Sequence, residues 1–118
     1  MAKTELEDRT KKFAIEIIDL VEQMPRNRAG DVAGRQLLRS GTSVGANYRE
    51  ANRGVSRDGF INKVGIATKE ASEVEYWLEL ISESPHLKTP GSIPLIQESR
   101  EILAILTTIG KNAKSSRP

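Results

Sequence analysis

Phe60-Ile61-Asn62-Lys63-Val64-Gly65-Ile66-Ala67-Thr68-Lys69-Glu70-Ala71-Ser72-Glu73-Val74-Glu75-Tyr76-Trp77-Leu78-Glu79-Leu80-Ile81 is the most regular stretch of the 118-residue chain. Phe60, Val64, Ala67, Ala71, Val74, Leu78 and Ile81 follow one another at alternating steps of four and three. That spacing keeps side chains on one face of a helix with ~3.6 residues per turn, whereas a half-buried strand would alternate by two. The segment therefore predicts a helix over about 58–84, with Ser56 or Asp58 as its N-cap.

The same rhythm recurs upstream. Leu37, Gly41, Val44, Tyr48, Ala51 and Val55 predict a helix over about 31–54, with Asp31 at its start. Leu6, Phe13, Ile17, Leu20 and Met24 predict another over about 4–24, which Pro25 ends. Arg26 to Gly30 reads as a loop. Downstream, Pro85 to Gly91 is rich in breakers. Leu95, Ile102, Leu106 and Ile109 then predict a helix over about 92–111, followed by a frayed tail, 112–118. Four amphipathic helices on short connections imply an all-α, antiparallel up-down-up-down four-helix bundle in one domain, 1–118.

Composition narrows the chemistry. Only five residues are aromatic, so the core falls to Leu, Ile, Val and Ala, which suits helix-on-helix packing. With no cysteine, disulfides and zinc-thiolate sites are excluded. The charged opening segment and the lack of a ~20-residue apolar run predict a cytoplasmic protein with no membrane partner. A net charge of +2 permits nucleic-acid binding without demanding it, so the placement of charge decides.

Ser40-Gly41-Thr42-Ser43-Val44-Gly45-Ala46 is a poor helix former by composition. It is no phosphate-binding loop, because Gly45 is followed by Ala46-Asn47 where that motif requires Lys and then Ser or Thr. It is either a break or a place where small residues let another helix approach. The unbroken apolar rhythm favours the second reading.

At ~100° per residue, Arg35, Arg39, Arg49, Arg53 and Arg57 fall within ~80° of one another, opposite the apolar face. Like charges four apart repel, so the stripe needs a partner. Nucleic-acid phosphates would fit the forked guanidinium. So would carboxylates, and Glu75, Glu79 and Glu83 form an acidic line on the third helix. Ile66, Trp77 and Leu80, with Tyr76 beside them, make a second apolar edge on that helix. Such an edge predicts a subunit interface.

His86 is the only histidine and sits in a loop between prolines. No Glu-x-x-His pair of the di-iron type and no nucleophile elbow occurs. The chain thus predicts a binding protein, not an enzyme, with no cofactor and no metal.

Gln36 to Ala51 and Phe60 to Leu80 closely resemble the bacterial family of 23S rRNA-intervening-sequence proteins, relatives of the accessory variability determinant of diversity-generating retroelements. The likeness extends over all four helices. It implies a ring-like homopentamer and, for the retroelement members, binding of nucleic acid and a reverse transcriptase. Arg39, Ser43, Asn47 and Glu50 match polar positions of the family's second helix, and Lys69, Glu70 and Glu73 those of the third. The resemblance implies a structural polar network between Asn47 and Glu70.

Overall fold

A computed structural model describes residues 2–116. Four helices follow in order: α1 (Lys3–Glu22), α2 (Arg28–Arg53), α3 (Arg57–Glu83) and α4 (Ser92–Ser115). Three of the starts have a local cause. The Asn27 side chain accepts a hydrogen bond from Gly30 N, so α2 begins three residues before Asp31, the expected cap. Ser56 caps α3 by accepting from Gly59 N. α4 follows Gly91, whose φ of 96° is open to glycine and strained for other residues. Its regular backbone continues to Ser115, past the expected end at 111; Arg117 and Pro118 of the expected tail lie outside the described residues.

Cross-helix neighbours run in opposite directions along each pair. Gly34 lies against Val21, Gly41 against Ile17 and Gly45 against Thr10, so α1 and α2 are antiparallel. Arg39 meets Glu70 while Glu50 meets Lys63. Glu75 meets Arg100 while Val64 lies near Gly110. Finally Arg9 meets Glu98 and Leu20 lies near Gly91. The result is an up-down-up-down bundle about 51 Å long in which each helix packs closely along its two neighbours.

The alternating apolar positions supply the core. Leu6, Phe13, Ile17, Leu37, Val44, Val64, Val74, Leu78, Ile102 and Leu106 are all essentially sealed from solvent. Three expected inner residues differ. Val55 lies past the end of α2 and is fully exposed, because the chain turns there into α3. Phe60 and Ile109 are only half-buried, at the end of the bundle where α3 starts and α4 finishes. Leu87 and Thr89 in the α3–α4 loop are buried, which periodicity could not predict for a non-helical segment.

The glycines of α2 keep that helix unbroken and serve as contact points. A Cβ on Gly41 would lie 2.8 Å from Ile17 Cγ2, and one on Gly45 would lie 3.0 Å from Thr10 Oγ1. Glycine lowers helix propensity here in return for close approach of α1.

Candidate nucleic-acid interface

α2 carries five arginines against two carboxylates, Asp31 and Glu50, whereas α3 carries six carboxylates against three cations. The bundle thus sets a basic helix beside an acidic one. The five arginines of the expected stripe have separate fates.

Arg39 is spent inside the bundle. Its Nη1 donates to Glu70 Oε2 at 2.9 Å and its Nη2 to Glu73 Oε1, while Nε donates to Gln36 Oε1 at 3.3 Å. The hydrogen bond to Glu73 is the main cause that raises the Arg39 pKa, and the same bond holds the Glu73 carboxyl below its ordinary value. Glu70 is buried, so Arg39 supplies the counter-charge that its burial requires.

Arg49 leans the other way, toward α1. Its Nε is 3.7 Å from Glu7 Oε1, a loose contact, while the second Glu7 oxygen accepts from Asn52 Nδ2 at 2.9 Å. Arg57 is not on α2 at all. It opens α3 and donates to Ser116 Oγ at 2.6 Å. The expected line of five is broken at that point because α2 ends at Arg53. Arg35 and Arg53 are exposed and bind no carboxylate among the described residues.

Arg49 and Arg53 line a groove of about 570 Å³ between α1 and α2. Lys11 joins them from α1, a residue the stripe on one helix could not reveal. Glu7 and Glu50 also line it, as do Gly45 and Ala46. Small residues on α2 therefore act twice. They admit α1, and they help line a groove that also carries Lys11, Arg49 and Arg53 with Glu7 and Glu50.

The acidic line has a different partner from the expected one. Glu75 and Glu79 both take Arg100 of α4, at 2.9 and 3.1 Å, so they do not neutralise the α2 stripe. The expected Asn47–Glu70 pairing gives way as well. Asn47 Nδ2 donates to Ser43 O one turn back, at 2.8 Å, and Glu70 takes Arg39.

On α3, Ile66, Trp77 and Leu80 are half-buried, and Trp77 and Leu80 pack against the core. Tyr76 is 56% exposed and meets Trp77 edge-on, with ring centroids 5.5 Å apart. The Trp77 indole N–H points at Glu73 Oε1, at 3.4 Å. An aromatic pair thus stands at the α2–α3 surface beside the Arg39–Glu73 bridge.

The family model for the 23S rRNA-intervening sequence protein matches residues 3–108. The chain belongs to that family. Among solved structures, it is similar to a protein of unknown function from the S23 ribosomal protein family of Bacteroides thetaiotaomicron. That crystal structure is 40% identical, with a TM-score of 0.83, over 94% of this chain and 99% of the other. No curated protein matches. The likeness of family and fold agrees with the resemblance seen in α2 and α3. Among the described residues, no helix is long and apolar enough to cross a membrane.

Proposed function

We propose that this member of the 23S rRNA-intervening sequence protein family is a non-catalytic, oligomeric, cytoplasmic accessory protein that binds nucleic-acid backbone through α2. The observation that carries the reading is the free basic surface from Arg35 to Arg53. Those two guanidiniums have no carboxylate partner among the described residues, Arg49 is held loosely, and Lys11 lines the same groove. Arg35 and Arg53 are ~27 Å apart along the helix, enough to follow several phosphates. Arg39 and Arg57 are left out of the contact set, because each already has a partner within the bundle. The family's name refers to 23S rRNA, which makes structured RNA the first ligand to test.

Arginine contacts to phosphate position a strand without reading its bases, so the expected binding is weakly sequence-dependent. Taking Arg35, Arg49 and Arg53 as three phosphate contacts per subunit, the salt slope is about −2.1 to −2.7, a loss of about 20- to 40-fold in affinity from 50 to 200 mM salt for each engaged subunit. Assembly of several subunits on one RNA would multiply these weak contacts.

The test is fluorescence anisotropy of a labelled structured RNA across that salt range. Arg49→Glu/Arg53→Glu is expected to abolish binding while circular dichroism stays unchanged. Unchanged affinity in that variant, or binding indifferent to salt, overturns the reading. A second reading, a protein-interaction bundle with no nucleic-acid role, is favoured by the exposed Tyr76 beside Trp77, since such aromatics are enriched at protein interfaces. A defined oligomer that ignores RNA at low salt would select it, and the partner would then be sought among proteins.

A further inference from the structure

The α1–α2 groove mixes charges in a way that a plain phosphate track does not explain. Its lining runs along α2 from Thr42 to Arg53, ~16 Å at ~1.5 Å per residue. α1 is antiparallel, so Ala14 lies toward the Thr42 end and Glu7 toward the Arg53 end. One end is therefore uncharged, with Ala14, Thr42 and Ala46, and the other carries Glu7, Arg49 and Arg53. Lys11 stands one helical turn from both Glu7 and Ala14. None of the uncharged lining residues is larger than threonine, and the volume of about 570 Å³ is that of a small-ligand cleft.

Two carboxylates share this lining with the three cations. Glu50 is accounted for by Lys63 of α3, at 2.8 Å. Glu7 is held in place from within the groove's own helices. Its side chain is only 19% exposed, Asn52 Nδ2 donates to its Oε2 at 2.9 Å, and Arg49 Nε stands 3.7 Å from its Oε1. A carboxylate has about four acceptor sites, so Glu7 keeps capacity for a further donor. It would repel a phosphate, and the sugar within a DNA strand offers it no hydroxyl. The 2′-hydroxyl of a ribose is a donor.

We propose that this groove holds one unpaired ribonucleotide of an RNA strand. Arg49, Arg53 and Lys11 take the flanking phosphates, Glu7 accepts the ribose 2′-hydroxyl, and the base enters the uncharged end beside Ala14 and Ala46. The assignment rests on the nucleic-acid reading above and adds which nucleic acid is taken and in what state. RNA is preferred to DNA because only RNA satisfies Glu7. An unpaired strand is preferred to a duplex because a paired base reaches the groove only by leaving its stack, which costs binding energy.

Fluorescence anisotropy at low salt tests this with labelled probes of one sequence: a single-stranded RNA, its DNA counterpart and a blunt RNA duplex. The unpaired RNA is expected to bind tighter than the duplex, and tighter than the DNA by about tenfold or more, the worth of one hydrogen bond to a charged group. In Glu7→Ala the RNA and DNA affinities are expected to become equal. A merely structural role for Glu7 would change both by the same factor and keep their ratio, and that result overturns its assignment. Ala46→Leu keeps every charge and narrows the uncharged end, so the unpaired RNA should bind about tenfold more weakly. Thr42→Leu takes its place if circular dichroism shows Ala46→Leu unfolded, with the same expected outcome. Equal affinity of the wild-type protein for all the probes, or wild-type affinity for unpaired RNA in the narrowed groove, overturns the proposal. The backbone reading survives that result if Arg49→Glu/Arg53→Glu still abolishes binding. Failure of every probe to bind at low salt overturns both.

Discussion

Replacing single glycines by alanine should move stability in opposite directions at positions that look alike in sequence. Gly65 and Gly41 both lie inside helices, and alanine there gains about 1 kcal/mol of helix propensity. At Gly65 the new methyl meets nothing within 4 Å, so the whole gain is kept. The entropy of unfolding at the midpoint scales as about 2.1 cal/mol/K per residue, or about 0.25 kcal/mol/K for a chain of this size. Gly65→Ala should therefore raise Tm by about 4 °C. At Gly41 the methyl would lie 2.8, 3.2 and 3.3 Å from three carbons of Ile17. Ile17 is fully buried, and its branch point cannot swing away. Overpacking of this kind costs about 1–3 kcal/mol. The net change is a loss of up to about 2 kcal/mol, and Tm should fall by as much as about 8 °C. Gly30→Ala should be worse, since its methyl would meet the Pro25 carbonyl oxygen, a backbone atom, at 2.1 Å. Thermal melts by circular dichroism, at two protein concentrations to separate folding from assembly, provide the measurement. If Gly41→Ala raises Tm as much as Gly65→Ala, then α1 and α2 do not approach as closely as described, and the account of α2's small residues fails.

Two further outcomes concern the joints of the bundle. Asn27 caps α2 through Gly30 N at 2.7 Å and donates from Nδ2 to His86 O at 3.0 Å, tying the α1–α2 connection to the α3–α4 loop. Asn27→Ala should lower stability in urea denaturation by about 1–2 kcal/mol, while Asn27→Asp, which keeps the cap, should lose less. Acid should loosen the α2–α3 seam. Arg39 holds the Glu73 carboxyl below its ordinary value, so the pair's contribution is fully present above the ordinary glutamate range. It is lost as pH falls through the depressed folded-state value. Arg39→Gln should flatten that acid limb of the stability profile, and an unchanged limb would show that the bridge carries no pH-dependent stability.

The fold was legible because its determinant is local and periodic. A core stripe needs only the spacing of apolar residues along one helix, and Val64, Ala67, Ala71, Val74, Leu78 and Ile81 are buried where that spacing puts them. Ends were less legible. Asn27 outcompetes Asp31 as the α2 cap because its side chain meets both Gly30 N and the distant His86 carbonyl, and the second partner is invisible in sequence. Val55 continued the numerical rhythm but sits in the turn, where helical spacing has no meaning.

Charge pairing was legible only in outline, because it depends on the register between helices. Wheel geometry put Arg39 beside Arg35, yet the antiparallel register brings Glu70 and Glu73 to Arg39 and leaves Arg35 without a carboxylate among the described residues. It also hands Glu75 and Glu79 to Arg100. Register therefore decides which cations of a basic helix are neutralised inside the fold and which remain for a ligand. Exposed bridges contribute little to stability in water. Their larger consequence in this bundle is selective. Arg39 and Arg100 close the seams on either side of α3, and among the described residues the free positive charge of α2 is left on Arg28 at its start, on Arg35 and Arg53, and in the groove that Arg49 shares with Lys11 of α1. A phosphate backbone approaching α2 would meet that remainder, a smaller and more localised site than a full arginine stripe.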